Sequence, residues 1–401
     1  MLLNNSGKNV AQLSDAHSFT LTITDPRLPE KELGVTDMFS GMWHMGFGHD
    51  DMSAHEDLAL PTIKYTNNVR DEAVAMLCEL FGYKGVVLGL NGSDATDAAI
   101  RIAQSLTGRT KVLALEEGYH GCTMAAALAG RDLNRRGLPK TLQELFDGGT
   151  IGRWAFMETV DEKVMEEELG KIPWSELGVF IFEPVQGSAG GWRLNPLVYE
   201  AIARKCHEHG AFVIADEIMT GIGRCGHLAL TQTYQPQPDM LLLGKMLGNG
   251  VPVSAVLVNE AIASKQLRLH RTGYYTMTNA GNLAGCKAIL QTLKRVTMPG
   301  FLEEIREKIE DLEPVFHAQF IDCPGVKSVR SYGLFLTLGV SSQELADMVH
   351  LALLIEDKYS VDLSGQKLRF CPALTMSART VKRAFAKTEQ RLRQYAGETS
   401  S

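Results

Sequence analysis

Lys245 lies where an apolar strand is expected to end, which is an unusual place for a charged side chain. It follows the apolar run 240–243, and small residues surround it: Gly244, Gly248 and Gly250. Lysine is seldom fully buried, and in an apolar setting its pKa falls, so that it becomes a neutral amine able to attack a carbonyl group. In the plainer alternative, the amine only reaches solvent from the strand end.

Carboxylates end two further apolar runs. Asp216 and Glu217 follow the uncharged run 210–215, and Glu183 follows "VFIF" and precedes a proline and a glycine-rich turn. Burial of a carboxylate is costly unless a cation or a strong hydrogen-bond donor meets it. Such an acid either serves a ligand or is a structural group, held by helix N-termini or by an arginine such as Arg224.

The tripeptide "NGS" at residues 91–93 lies between a predicted strand and a predicted helix. Glycine lets a ligand approach the backbone closely, and the amides of Gly92, Ser93 and Asp94 would lie at the helix N-terminus, which favours a phosphate group. The alternative is an ordinary turn in which Ser93 caps the helix.

These groups together suit one cofactor, pyridoxal 5′-phosphate. It requires a phosphate cradle, an acid that keeps the pyridine nitrogen protonated, and a lysine that forms a Schiff base with its aldehyde. The protonated ring would accept electrons from the substrate carbon, and the displaced lysine would move the proton.

The elements that must position these groups alternate between helix and strand from about residue 65. Helical periodicity is clear in "NVRDEAVAMLCELFG", "SDATDAAIRIAQSLTG" (from Ser93 to Gly108) and "PLVYEAIARKCHEHG", and short apolar runs predict strands at 85–91, 111–117, 178–185, 211–218 and 240–244. Apolar strands that alternate with helices predict an α/β fold with a mostly parallel central sheet and helices on both faces. Such sheets bind ligands at the carboxyl ends of their strands.

The pattern changes after about residue 295. A charged helix, "FLEEIREKIEDLEPVFHAQF", is followed by strands "KSVRSYG" and "LFLTLGV", a helix over 342–356, the strand "KLRFCP" and a basic helix from Ser377. This order predicts a smaller α+β domain. We therefore expect an N-terminal segment (1–60) that joins the small domain and the substrate pocket, a large cofactor-binding domain (61–290) and a C-terminal small domain (291–401).

Composition excludes several classes of function. The chain has 401 residues, a net charge of −7, and basic residues that are scattered, which argues against nucleic acid or an anionic membrane as the main partner. We see no signal peptide and no apolar run near the roughly 18 residues that cross a bilayer. The seven cysteines are widely spaced, which predicts reduced core thiols in a cytoplasmic protein and no metal site: Cys78, Cys122, Cys206, Cys225, Cys286, Cys323 and Cys371.

From about Ser40 to Leu374 the sequence resembles the class III (ω-) aminotransferases, which are fold-type I pyridoxal-phosphate enzymes. Six segments carry the resemblance in the family's order: "SGMWHMGFGH", "NGSDATDAAIRIAQSLTGR", "GYHG", "FEPVQGSAGG", "ADEIMTGIGRCG" and "PDMLLLGKMLGNGVPVSAV". Each segment alone is weak, and all six in register make an accidental match very improbable.

The resemblance implies roles for individual residues. Lys245 matches the Schiff-base lysine and Asp216 the partner of the pyridine nitrogen, while Ile218 and Tyr119 would pack on the two ring faces. Thr278 matches a threonine that reaches the phosphate from the neighbouring subunit, which implies an obligate homodimer. The expected cofactor-binding residues are Gly92, Ser93, Asp94, Tyr119, Glu183, Asp216, Ile218, Lys245 and Thr278.

The expected substrate-binding residues are Trp43, Ser188 and Arg369. Arg369 matches the arginine that binds a substrate carboxylate, a task suited to a bidentate guanidinium, although a solvated strand arginine is the alternative. Trp43, with His44 and Met45, is expected either to line the substrate pocket or to belong to a core cluster. His120 is expected to position its loop rather than to act as a base.

The chain departs from the family pattern at several positions. Many members carry a glutamate at the position of Ser188, which pairs with the arginine; its absence predicts that Arg369 is permanently available and disfavours ornithine- or GABA-like substrates. Met219 replaces a glutamine that contacts the ring hydroxyl, Asp94 replaces the commoner glutamate, and Asn279-Ala280 replaces an aromatic-serine pair.

The expected reaction is transamination between an amine or amino acid and a keto acid or aldehyde, by a ping-pong mechanism. An aminomutase of the glutamate 1-semialdehyde type, an epimerase or a decarboxylase would use the same scaffold. A non-catalytic binding protein is a more distant alternative, which an intact Lys245 and Asp216 disfavour.

Overall fold

The computed structural model describes residues 12–17, 19–24, 32–40, 46–47, 68–130, 137–268 and 279–397. The chain forms two compact units, residues 52–309 and residues 1–51 together with 310–401. The boundaries expected from the sequence lay at residues 60 and 290. The second division of the structure falls later, inside the helix Phe301–Phe320.

The secondary structure elements are numbered here in chain order. The strands are β1 (Gln12–His17), β2 (Thr20–Thr24), β3 (Glu32–Asp37), β4 (Gly85–Gly89), β5 (Lys111–Leu115), β6 (Asp147–Ile151), β7 (Leu177–Phe182), β8 (Val185–Gln186), β9 (Trp192–Arg193), β10 (Phe212–Asp216), β11 (Met240–Leu243), β12 (Ser254–Val258), β13 (Val326–Ser331), β14 (Leu336–Val340), β15 (Tyr359–Ser360), β16 (Asp362–Ser364) and β17 (Lys367–Phe370). The helices are α1 (Asn68–Phe81), α2 (Gly92–Thr107), α3 (Met124–Leu128), α4 (Lys140–Phe146), α5 (Glu162–Gly170), α6 (Pro196–Glu208), α7 (Glu260–Arg268), α8 (Leu283–Val296), α9 (Phe301–Phe320), α10 (Gln343–Ile355) and α11 (Ala378–Ala396).

The 52–309 unit is built on a seven-stranded sheet of order β4-β12-β11-β10-β7-β5-β6. β12 is antiparallel to both of its neighbours, and the pairs β11–β10, β10–β7, β7–β5 and β5–β6 are parallel. All residues of β7 and β11 are buried, so both faces of the sheet are covered. This confirms the predicted α/β fold with a mostly parallel central sheet.

Helix α2 packs across the middle of this sheet, because one of its faces consists of small residues. Its buried alanines belong to the same apolar cluster as Ile214 of β10 and Leu242 of β11. The helix ends at Gly108 in a left-handed conformation, as expected. Its N-cap lies two residues earlier than predicted: the cap is Asn91 rather than Ser93, because the Asn91 side chain accepts a hydrogen bond from the Asp94 amide.

The 310–401 part of the other unit contains the antiparallel sheet β13-β14-β17-β16. Its apolar face packs on helices through an aromatic cluster, in which Phe316 of α9 and Phe385 of α11 contact Phe370 of β17. These elements match the predicted helix-strand-strand-helix order closely. In residues 1–51 the sequence showed no clear period, yet the structure has three strands there, β1 to β3, which join β15 in a second sheet.

The described residues contain no helix that is long and apolar enough to cross a membrane. They also contain no group of three or more histidine, cysteine or acidic side chains that could hold a metal ion. All seven cysteines are free thiols, and most are buried. Cys122 is exposed, which corrects the expectation that every cysteine is a core thiol.

Candidate active site

Six strands of the central sheet, β4, β5, β6, β7, β10 and β11, point in one direction, so their carboxyl ends lie along one edge. Asp216 is the last residue of β10 and pairs in register with Leu242 of the adjacent parallel strand β11. Lys245 follows Leu242 by three residues. The topology therefore places the predicted lysine and the predicted acid at neighbouring strand ends.

Asp216 is buried and held from two directions. Its Oδ2 lies 2.8 Å from Nδ1 of His120, and its Oδ1 accepts a hydrogen bond from the Ile218 amide at 3.2 Å. Burial alone would lower the pKa of His120, but its hydrogen bond to Asp216 and the charges of Asp216 and Glu183 raise that pKa. The arrangement is a buried histidine–aspartate pair at the carboxyl end of the sheet.

His120 has a second ring nitrogen, Nε2, that is buried and has no hydrogen-bond partner among the described residues. Its side chain is fully buried. The sequence predicted for His120 only a role in positioning its loop and gave no sign of its contact with Asp216. The one sequence signal for a role of His120 was its place in "GYHG". Its partner is 96 residues further along the chain, so no local pattern could predict the pair.

Glu217, the neighbour of Asp216, is the structural acid of the two. Its carboxylate accepts hydrogen bonds from the amides of Leu230 and Thr231 and from the hydroxyls of Thr231 and Thr220. Leu230 and Thr231 begin a short 3-10 helix, so the structural alternative raised from the sequence, an acid at a helix N-terminus, holds for this residue. Burial raises the pKa of Glu217, and these four donors oppose the shift.

Glu183 connects two loops at the same edge. Its Oε1 accepts from the Tyr119 amide at 2.9 Å and its Oε2 from the Gly187 amide at 3.2 Å. Burial raises the pKa of the Glu183 carboxyl to about 7; the charge of Asp216 adds to the shift, and His120 and the two amides oppose it. Glu183 thus fixes the loop that carries Tyr119 relative to the turn that precedes Ser188.

The N-terminus of α2 forms a backbone cradle. The first amides of a helix have no intrahelical partner, and those of Gly92 and Ser93 are in this position. The third amide differs from expectation: Asp94 N–H donates to Asn91 Oδ1 at 3.1 Å, and the Asp94 carboxyl accepts from Asn91 Nδ2 at 2.8 Å. Asp94 is therefore engaged by the cap, which argues against a direct role for it with a phosphate.

The "GYHG" loop packs tightly on this cradle. Gly121 has φ +129°, and a Cβ there would lie 2.3 Å from Ser93 Oγ, so only glycine fits. Ser93 Oγ also accepts a hydrogen bond from the Cys122 amide at 3.1 Å. The loop that carries Tyr119 and His120 is in this way fixed against the helix N-terminus.

Lys245 begins a short 3-10 helix with φ 47°, a left-handed backbone that a non-glycine residue adopts at a cost of about 1–3 kcal/mol. The sequence predicted a buried lysine, but Lys245 is only half-buried.

Ile218 lies between the N-terminus of α2 and the end of β11. A Cβ on Gly92 would be 2.7 Å from Ile218 Cδ1, and a Cβ on Gly244 would be 3.5 Å from Ile218 Cγ2.

Met219 lies against the turn after Glu183. A Cβ on Gly187 would lie 2.2 Å from the Met219 Cε, so the thioether covers the backbone of that glycine. Ser188, the next residue, is 8 % exposed. An apolar thioether therefore lies here, where the family pattern has a glutamine side chain that can form hydrogen bonds.

Arg369 lies in the other unit, on β17, and is buried. Its Nε and Nη2 both contact Oδ2 of Asp362, which is the directly opposite residue on β16. The sequence predicted that Arg369 is permanently available because Ser188 is not an acid. That prediction was wrong, since an acid seven residues before the arginine pairs with it; only strand register could have revealed Asp362.

Two predicted regions lie outside the described residues. Trp43, with His44 and Met45, is one of them, and Thr278 is the other. Their assignments to the substrate pocket and to the subunit interface stay predictions.

Known proteins show clear similarity to this chain. The family model described as class-III aminotransferase matches residues 34–392. Among curated relatives, acetylornithine aminotransferase of Bacillus subtilis is 29 % identical over 337 residues, which are 81 % of this chain and 80 % of the relative. The LysW-aminoadipate semialdehyde/glutamate semialdehyde transaminase of Sulfolobus acidocaldarius is 27 % identical over 290 residues, which are 72 % of this chain and 70 % of the relative.

Solved structures with the same fold include two aminotransferases. Taurine:2-oxoglutarate aminotransferase of Bifidobacterium kashiwanohense has a TM-score of 0.85 at 19 % identity, over 99 % of this chain and 95 % of that one. Ornithine aminotransferase of Toxoplasma gondii ME49 has a TM-score of 0.83 at 21 % identity, over 99 % and 94 %. At these identities the similarity establishes the fold.

Proposed function

The chain belongs to the class-III aminotransferase family, and from that membership we propose which of its residues carry the amino transfer. The protein is a pyridoxal-phosphate-dependent aminotransferase that moves an amino group between an amine or amino acid and a keto acid or aldehyde in a ping-pong reaction. The observation that carries the residue assignment is that Asp216 ends β10 and Lys245 closely follows β11, the adjacent parallel strand.

The residues at this edge fit pyridoxal phosphate. The α2 N-terminus offers the Gly92 and Ser93 amides for a phosphate, at a place where the loop approaches so closely that a Cβ on Gly121 would clash. The buried Nε2 of His120, which no described residue satisfies, also lies at this edge. The aldehyde, the protonated ring nitrogen and the phosphate of this cofactor require, respectively, an amine nucleophile, a carboxylate acceptor and backbone amide donors.

We assign each residue one task. Pyridoxal phosphate supplies, when bound, an aldehyde that condenses with amines and a ring that withdraws electrons from the neighbouring carbon. Lys245 would hold the cofactor through Nζ. Once the substrate amine has taken its place, the freed Nζ would accept the proton from the substrate carbon that bears the amino group. The Asp216 carboxylate, kept in place by His120 Nδ1 and the Ile218 amide, would accept a hydrogen bond from the ring nitrogen and favour its protonated form.

Ile218 and Tyr119 are proposed to contact the two faces of the ring. Ile218 is supported by its contacts with the Gly92 and Gly244 backbones. Tyr119 is supported by the hydrogen bond that fixes its amide to Glu183. Glu183 is proposed to act through these loops rather than on the cofactor itself, since its two oxygens accept from the Tyr119 and Gly187 amides.

We further propose a substrate with a carboxylate, bound by Arg369. Two relatives described above carry amino-acid derivatives in their names, and a guanidinium binds carboxylates through paired N–H donors. Ser188 and Trp43 are also proposed to bind the substrate. Three further expectations from the sequence also stay predictions. They are an obligate homodimer with Thr278 at the partner's phosphate site, a cytoplasmic location, and domain limits at residues 60 and 290.

A half-reaction screen tests this function. Holoenzyme is mixed with single donors, either amino acids or the matching amines without a carboxylate, and pyridoxamine phosphate and the keto product are quantified by chromatography. We expect conversion with carboxylate-bearing donors, none in Lys245→Ala, and normal conversion in Lys163→Ala, which removes an exposed lysine of α5.

Three results would count against the proposal. Failure to bind added pyridoxal phosphate, or binding without conversion of any donor, would overturn the assignment of Lys245 and Asp216. Racemisation without conversion would identify an epimerase instead. Conversion of only those amines that lack a carboxylate would remove the role of Arg369.

A further inference from the structure

Arg369 lies in a row of polar side chains that crosses the small antiparallel sheet. In register, Thr337 of β14 is opposite Arg369 of β17, and Arg369 is opposite Asp362 of β16. Directly opposite residues in paired strands project to the same face. Thr337, Arg369 and Asp362, named the polar row here, therefore share one face of the sheet.

The polar row faces away from the helices of its unit. Phe370, the residue after Arg369, projects to the other face and packs on Phe316 of α9 and Phe385 of α11. Two of its residues are nevertheless buried, since Thr337 is 0 % exposed and Arg369 is 6 % exposed, and Asp362 is partly buried. A charged and hydroxylated row in such surroundings needs polar partners.

Asp362 supplies one of these partners. A guanidinium has five N–H donors, and Asp362 binds the Nε edge of Arg369. A second carboxylate that binds the same guanidinium meets both the cation and the fixed anion next to it. Its net attraction is therefore weaker than that to an unshared arginine.

Thr337 lies on the opposite side of Arg369. Its hydroxyl is buried and has no hydrogen-bond partner among the described residues. A buried hydroxyl without a partner costs free energy that a ligand oxygen would recover. The hydroxyl and the guanidinium are neighbours in register, so both can bind one carboxylate.

We propose that the substrate carboxylate binds between Arg369 and Thr337, and that Asp362 is a specificity-determining residue that weakens this binding. The inference rests on the proposed function and deepens it. It assigns to Asp362 the part that an acid at position 188 would otherwise play. The enzyme then binds carboxylates with moderate affinity and tolerates donors without one better than an unshared arginine would.

The two flanking residues should shift substrate preference in opposite directions. In Asp362→Asn the ratio of kcat/KM for an amino acid to that for its matching amine should rise about tenfold, since a like charge next to the ligand is removed. The change should appear in KM rather than in kcat. In Thr337→Val, which keeps the side-chain shape, the same ratio should fall about fivefold, because one hydrogen bond to the ligand is lost.

A ligand that cannot react gives a second readout. Propionate carries a carboxylate and no amine, and its inhibition constant should fall about tenfold in Asp362→Asn and rise in Thr337→Val. Asp362→Thr, a neutral residue suited to a strand, should behave like Asp362→Asn if the latter does not fold. Asp362→Glu, which keeps the charge, should leave the preference unchanged.

A matched control comes from the same unit. Asp357 forms a buried ion pair with Arg391 on α11, outside the polar row. Asp357→Asn should lower the thermal midpoint and leave the preference for carboxylates unchanged. If folded Asp362→Asn and Asp362→Thr bind propionate as weakly as the wild type or more weakly, Asp362 only positions Arg369 and the inference is overturned. A wild-type enzyme that converts no donor would instead count against the proposed function.

Discussion

Replacement of His120 by phenylalanine should slow amino transfer without unfolding the enzyme. The histidine Nδ1 lies 2.8 Å from Asp216 Oδ2, and both side chains are buried. The substitution removes this donor and leaves a buried carboxylate with less support. A hydrogen bond to a charged group contributes about 1.5–3 kcal/mol, and about 1.4 kcal/mol changes a rate tenfold, so kcat should fall about 10- to 100-fold.

The assay measures kcat and KM for the best donor, together with the affinity for pyridoxal phosphate and the thermal midpoint. His120→Asn is the conservative variant, because an amide N–H can donate to Asp216 from near the position of Nδ1. It should keep kcat within about fivefold of the wild type, a loss of less than 1 kcal/mol in transition-state stabilisation. A purely structural role for His120 would not give this recovery.

His207 provides the matched control. Its Nε2 lies 2.9 Å from Asp239 Oδ2 in the same unit, so His207→Phe removes a similar hydrogen bond away from the site. It should change stability and leave kcat unchanged. The reasoning is refuted if His120→Phe keeps kcat within threefold of the wild type, or if His207→Phe lowers kcat by the same factor.

Two further predictions concern the cradle and the buried acid. Gly121→Ala should raise the Kd for pyridoxal phosphate at least about tenfold, since the new Cβ would lie 2.3 Å from Ser93 Oγ. Gly365→Ala is the control and should leave that Kd unchanged, because no atom lies within 4 Å of its Cβ. Equal Kd values for the two variants in equilibrium titrations would contradict this prediction. Glu183 has a pKa raised from 4.5 to about 7 in the folded protein, so its contribution to stability is present below pH 4.5 and is lost as the pH rises through 7. Relative to Glu183→Gln, the wild type should therefore lose about 3 kcal/mol of unfolding free energy over that range. The thermal midpoints of both proteins are measured from pH 4.5 to 8, and a constant difference between the two midpoints would rule this prediction out.

Local patterns in the sequence were sufficient for most elements. The charged helix expected at "FLEEIREKIEDLEPVFHAQF" is α9, Phe301–Phe320, and the helix expected over 342–356 is α10, Gln343–Ile355. Both segments carry strong helical periodicity, and the Ser342 side chain caps α10, so the local sequence is enough to predict them. The strands β1 to β3 lack that periodicity, and β12 is an apolar run within a longer loop-like stretch, so both were missed.

Contacts between distant residues were not predictable in the same way. The family motif identified Lys245 and Asp216, but the partner of Asp216 is 96 residues away. Asp362 is close to Arg369 in sequence, yet their contact depends on the register of β16 against β17, which no local pattern specifies. The motif predicts which residues take part in the chemistry. The fold topology determines which neighbouring side chains influence their charge and position.

The adjacent acids Asp216 and Glu217 show how one strand end serves two purposes. Glu217 accepts four hydrogen bonds, all from residues 220–231, so its carboxylate is fully used in fixing the loop that follows β10. Asp216 accepts one hydrogen bond from the Ile218 amide in that loop and one from His120, which lies in the loop after β5. Because a carboxylate has room for about four donors, Asp216 retains acceptor capacity for a cofactor and Glu217 does not. The acid with fewer partners is therefore the one that we propose for the chemistry, and the acid with more partners fixes the loop that follows β10.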